Sequence, residues 1–149
     1  MESGIREDVF VSIKAIHTIM GEYGLTDDED VIEMVNMGTH YMGDRIHYVT
    51  YDEIGEDDIN KNLLKISSNR IELNKTGSVK STLTFEPGNE NFAPYNTPHG
   101  ELMMGLKTTE LMVSEEEEEI NAHIEYEMSI NYNKVSDCRL DINIKRKYE

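Results

Sequence analysis

Apolar and polar residues alternate with a period of two along most of this chain, the pattern of strands that bury one face. In the first run, Val9, Val11, Ile13, Ala15, His17 and Ile19 share one side, with Ser12, Lys14 and Thr18 on the other. Gly21 to Gly24 end it. Val31 to Met42 forms a second run, rich in Val, Ile, Met and Tyr; Gly38 and the β-branched residues argue against a helix there. Gly43-Asp44 then predicts a tight turn into a strand marked by Ile46, Tyr48, Val49 and Tyr51. The acidic stretch Ile54 to Asn60 reads as a loop before Leu63, Leu64 and Ile66.

Ser68-Asn69 predicts a two-residue turn into Arg70 to Lys75, and Thr76-Gly77-Ser78 another turn into Val79 to Glu86. Pro87-Gly88 stops that strand, and Asn89 to Pro98, broken by Pro94 and Pro98, is expected to be irregular. Alternation resumes from Glu101 to about Val113, then over Ile120 to Ile130, then through Cys138, Leu140, Ile142 and Ile144. Short connections and one-sided alternation imply antiparallel pairing. About nine strands of this kind tend to curl shut, which removes exposed edges. The expectation is an all-β fold, a single antiparallel barrel of about 8–10 strands spanning residues 1–149 as one domain.

Composition narrows the function classes. Charged residues make up 30% and the formal net charge is −16, which disfavours nucleic acid phosphates and anionic membranes. The single cysteine, Cys138, cannot form an internal disulfide. No apolar run reaches the length of a membrane-spanning helix, and Met1 to Asp8 lacks the basic start and apolar core of a signal peptide. The expected compartment is the cytoplasm.

The stretch Tyr95-Asn96-Thr97-Pro98-His99-Gly100, a Tyr-x-Thr-Pro-x-Gly element feeding a strand, resembles the YwiB-like family of bacterial proteins, a domain of unknown function. Further matching pieces follow the family's order: Tyr48 to Glu53, Arg70 to Leu73 with Thr76-Gly77, Leu83 to Gly88, Ile124 to Tyr126, and Leu140 to Ile144. The resemblance covers nearly the whole chain. It implies a calycin-like, lipocalin-like barrel and no established activity; by analogy of fold alone, it suggests a small apolar molecule inside the barrel.

Tyr95 to Gly100 is either a rim that touches a ligand or a fixed turn, since Pro98 sets φ and Gly100 permits an unusual backbone angle. Glu53 and Arg70 are expected to pair across the barrel, either orienting a ligand carboxylate or serving as a structural ion pair. Of the five histidines, His17, His40, His47, His99 and His123, no two have a metal-binding spacing, so no metal and no cofactor is expected. His123 reads as solvent-facing and His17 as a core or rim residue. Glu115 to Glu119 reads as a solvated hairpin loop. Cys138, in register with Leu140 and Ile142, reads as a buried, inert thiol. The Met residues read as core filling.

There is no Gly-x-Ser-x-Gly elbow and no Gly-rich phosphate loop. The leading expectation is therefore a non-catalytic barrel that binds a small apolar or carboxylate-bearing molecule through Tyr51, Glu53, Arg70, Tyr95, Thr97, Pro98 and Gly100. The alternative is an interaction module that docks a basic protein through its acidic face, or forms a homodimer through barrel strands.

Overall fold

The computed structural model describes residues 6–21, 24–54, 58–77 and 80–147, without the side chains of 19–21, 24–27 and 95–97. Ten strands appear among the described residues: β1 (Glu7–Gly21), β2 (Gly24–Gly43), β3 (Ile46–Ile54), β4 (Ile59–Ser67), β5 (Arg70–Thr76), β6 (Ser81–Phe85), β7 (Glu90–Thr97), β8 (Gly100–Glu115), β9 (Glu119–Ile130) and β10 (Asn133–Arg146). They form one antiparallel sheet in the order β6-β5-β4-β3-β2-β1-β10-β9-β8-β7. The end strands β6 and β7 pack side by side, so the sheet rolls into a nearly closed barrel. The β6–β7 link is stitched to β8: Gly88 N donates to Thr108 O (3.1 Å), and Thr108 N donates to Asn89 O (3.2 Å). No helix of the described residues is long and apolar enough to cross a membrane.

Two departures from the sequence pattern have physical reasons. Asn89 to Pro98, expected to be irregular, contains strand β7. Pro94 lacks the N–H that a central strand needs, and β7 escapes that requirement by lying at the end of the sheet, paired only with β8. The tight turn after β2 is centred on Asp44-Arg45, one residue later than expected. Both have positive φ (54° and 69°), as a type I′ hairpin requires, and Asn131 and Tyr132 (48° and 70°) repeat the geometry between β9 and β10. Pairing also extends further than the pattern suggested. β2 begins at Gly24 rather than Val31, and β4 begins at Ile59 within the expected acidic loop.

The inward residues fill the barrel. Val11, Val49, Leu64, Ile66, Ile71, Phe85 and Ile124 are essentially inaccessible to solvent. The Phe85 and Tyr126 rings meet at 4.9 Å, tying β6 to β9. Gly38 lets β2 pass close to β3: a Cβ there would sit 2.5 Å from the Thr50 carbonyl oxygen. β8 carries one extra residue. The register shifts between Thr108 and Glu110, so Thr109 and Glu110 both point outward while Thr108 and Leu111 stay on the core side. The Thr109 hydroxyl donates to the Glu125 carbonyl oxygen (3.1 Å) and pins this bulge.

These features predict opposite effects of two substitutions in urea denaturation. Ile66→Ala empties a fully buried site and should cost about 2–5 kcal/mol. Arg45→Gly relieves a side chain held at positive φ and should gain about 1 kcal/mol. A loss on Arg45→Gly would refute the strained-turn assignment.

Candidate functional site

Tyr51 and Asn62 oppose each other across the β3–β4 ladder, and both are buried. Asn62 Nδ2 donates to Glu53 Oε1 at 2.8 Å, and Lys75 Nζ lies 3.1 Å from the same oxygen. Tyr51 and Glu53 therefore join Asn62 and Lys75 in one half-buried polar group. Burial, aided by the Glu53 charge, pushes the Tyr51 phenol well above its ordinary range, so it is held as a neutral hydroxyl.

The expected Glu53–Arg70 pair does not form. Glu53 sits opposite Asn60 and Arg70 opposite Ser67, a span of roughly 23 Å along β4. Arg70 is about half exposed and is satisfied instead by Glu72 (3.1 Å) and Glu86 (3.6 Å). Lys75 takes the place beside Glu53.

The Tyr95 to Gly100 element is the β7–β8 hairpin: Tyr95 pairs with Leu102, Thr97 with Gly100, and Pro98-His99 form the turn. Gly100 has φ 121°, which explains glycine there. The side chains of Tyr95 and Thr97 lie outside the described residues. Pro98 and Gly100 are exposed at the turn, on a different hairpin from Tyr51.

Two histidine groups emerge that sequence spacing did not reveal. At one end of the barrel, His40 Nε2 and His47 Nδ1 are 2.9 Å apart, and His47 Nε2 contacts Glu115 Oε1. Glu7 Oε2 lies 3.7 Å from His40 Nδ1. Glu115 ends β8 and His47 is the second residue of β3, so this chain of side chains reaches between strands far apart in the sheet. Of the Glu115 to Glu119 run expected to be a solvated loop, only Glu116 to Glu118 form the turn; Glu115 ends β8 and Glu119 begins β9. Burial and neighbouring His47 hold His40 below the usual imidazole range, against the opposing pull of Glu7 and Glu115.

On the outer surface, His123 Nδ1 lies 2.6 Å from Asp141 Oδ1, and His123 Nε2 lies 2.8 Å from Glu125 Oε2 and 3.6 Å from Glu110 Oε2. Hydrogen bonds to Glu125 and Asp141 raise His123 above the ordinary imidazole range. The simple solvent-facing histidine of the sequence is thus a three-carboxylate junction.

Cys138 is buried, with Sγ 2.9 Å from Ser136 Oγ. Burial pushes its thiol up, as expected of an inert cysteine. His17 pairs with Cys138 across β1–β10 and is half-buried.

An open hollow of about 460 Å³ crosses five neighbouring strands at residues 12–14, 33–35, 112–114, 121–123 and 141–143. The central residue of every triplet is apolar: Ile13, Met34, Val113, Ala122 and Ile142. The flanking residues include Lys14, Glu33, His123 and Asp141. None of the seven residues singled out from the sequence lines it.

His40 gives this chain a defined acid sensitivity. Its folded pKa lies below the ordinary value of about 6.5, so the unfolded chain binds the extra proton first as pH falls. The His40 contribution to stability should therefore drop as pH is lowered through about 6.5, while His123, shifted the other way, contributes with the opposite sign. His40→Gln, which removes the titrating ring and keeps a polar side chain, should remove the His40 part of that response in urea titrations between pH 7.5 and 5. An unchanged slope would show that the acid response arises elsewhere.

The comparisons with known proteins agree with this architecture. An uncharacterised β-barrel protein, YwiB of Bacillus subtilis (strain 168), is 28% identical over 105 residues, covering 69% of this chain and 72% of that protein. The crystal structure of YwiB from Bacillus subtilis superposes with a TM-score of 0.79 at 21% identity, covering 96% of this chain and 94% of the other, and so shows a shared fold. A family model described as a domain of unknown function, DUF1934, matches residues 16–142, and the chain belongs to that family.

Proposed function

We propose that this protein binds a small, mostly apolar molecule without transforming it. The observation that carries this reading is the hollow across β2, β1, β10, β9 and β8. Its volume of about 460 Å³ falls within the ~300–1,000 Å³ typical of small-molecule sites. The apolar centre of each strand triplet supplies non-directional affinity. The hollow's apolar centres belong to the inward face, so a ligand there would rest against the side chains that fill the middle of the barrel. Arg70 is engaged by two glutamates, so a carboxylate clamp at that residue drops out of the reading. A cytoplasmic setting suits the lone buried cysteine, and the net charge of −16 weighs against nucleic acid as the ligand.

Native mass spectrometry of the purified protein, repeated after mild denaturation, should show a small mass lost on unfolding. Titration with decanoate, followed by amide NMR shifts, should perturb the five triplets together, and Met34→Trp should weaken the effect at least several-fold. A bare chain with shifts scattered over the surface would overturn the reading.

One observation favours a second role. Among the described residues, β2 pairs with β3 only over Gly38–Gly43, leaving the preceding segment with a free edge. Val31, Val35 and Met37 are exposed there, beside Asp28, Glu29, Asp30 and Glu33. An extended basic peptide suits such an edge, by strand addition and charge complementarity. A lysine-rich, Val-containing peptide should bind with steep salt dependence and lose affinity on Val35→Lys; salt-independent binding, or none, would exclude this role.

A further inference from the structure

We propose that Glu110, His123 and Glu125 form a site for one divalent transition-metal cation of the zinc class, with Asp141 orienting the imidazole. The three donor atoms converge, each within 4.8 Å of the others. Tetrahedral zinc with ligand distances near 2.1 Å sets neighbouring donors roughly 3.4 Å apart. The two N–O separations here, 2.8 Å to Glu125 and 3.6 Å to Glu110, bracket that spacing, so small side-chain rotations suffice.

The donor set is mixed, one imidazole nitrogen and two carboxylates, which suits zinc or manganese better than a purely oxygen-seeking ion. Asp141 lies on the other ring nitrogen, Nδ1, at 2.6 Å. That arrangement fixes the imidazole so that Nε2 faces the two glutamates, as outer carboxylates do for metal-bound histidines. The metal site stands without the small-molecule reading.

The backbone brings the carboxylates together. Glu110 lies directly opposite Glu125 in the β8–β9 ladder, a like-charge pairing that is ordinarily destabilising. The bulge at Thr109 creates that pairing, since a regular ladder beyond Thr108 would set Thr109 there instead. Bulges of this kind re-aim side chains beside functional sites. Within the cluster, the His123 ring bridges Asp141 (2.6 Å) and Glu125 (2.8 Å), with Glu110 standing against Glu125. The cations facing the cluster are Arg139, opposite Glu125 and 3.2 Å from Glu29, and Lys14, opposite Asp141. A metal ion competes with protons for imidazole and carboxylate ligands in general, so affinity rises with pH.

The test is calorimetric titration of the full chain with zinc chloride at pH 6.0 and 7.5. One equivalent should bind, more tightly at the higher pH. Glu110→Gln and His123→Ala should each weaken it at least tenfold with unchanged circular dichroism, and Asp141→Asn should weaken it less. His47→Ala should leave it intact, separating this site from the buried histidine pair. Cobalt(II) should give a visible absorption band that Glu110→Gln removes. Absence of a saturable equivalent would overturn the proposal, as would binding that Glu110→Gln, an exposed substitution, leaves unchanged. A ligand-free hollow beside an intact zinc equivalent would overturn only the small-molecule reading.

Discussion

Backbone amides inside a structure made only of strands find partners only on neighbouring strands. This chain meets that demand with a run of consecutive antiparallel ladders from β6 around to β7. Each ladder fixes the next one's register, and register decides which side chains enter the core. The seam is where the demand is hardest to meet. There the sheet ends in its shortest strand, β6, and in the proline-bearing strand β7, both poor templates for unwanted pairing. The Gly88 and Thr108 backbone bonds and the contact of Phe85 with Tyr126 hold the seam together.

The candidate sites follow from the same geometry. Long strands β1, β2, β8, β9 and β10 run beyond the reach of shorter β3 to β7, and the hollow lies across that long-strand side. The polar group of Tyr51, Glu53, Asn62 and Lys75 belongs to the short-strand side instead. His47 and Glu115 link the two sides at one end of the barrel.

Alternation made the core legible. Val9, Val11, Val49, Ile71, Phe85, Ile124, Cys138 and Ile142 lie inside because period two along a half-buried strand leaves little choice. β7 was hidden because Pro94 and the adjacent Pro98 read as breakers, and only position at a sheet end makes Pro94 acceptable. The expected Glu53–Arg70 pair failed because alternation gives the face of a residue and not its height along the barrel. The His40–His47 pair was hidden too, because the two meet diagonally: His40 lies opposite Val49 and His47 opposite Met42. So was the His123 junction: Asp141 joins it through a ladder shifted between Lys134 and Ser136, and Glu110 through the shift at Thr109. Bulges leave no mark in a hydrophobic pattern that looks regular on both sides.

The bulge also bears on how this chain tolerates changes of length. Removing one residue from a strand ordinarily turns everything beyond it inside out. In β8 the reverse holds: a chain lacking Thr109 would run Thr108, Glu110, Leu111 in unbroken alternation, with the same residues inside and Glu110 still opposite Glu125. The strand thus holds one spare residue, and at this point, unlike its neighbours, a single-residue deletion is compatible with the architecture.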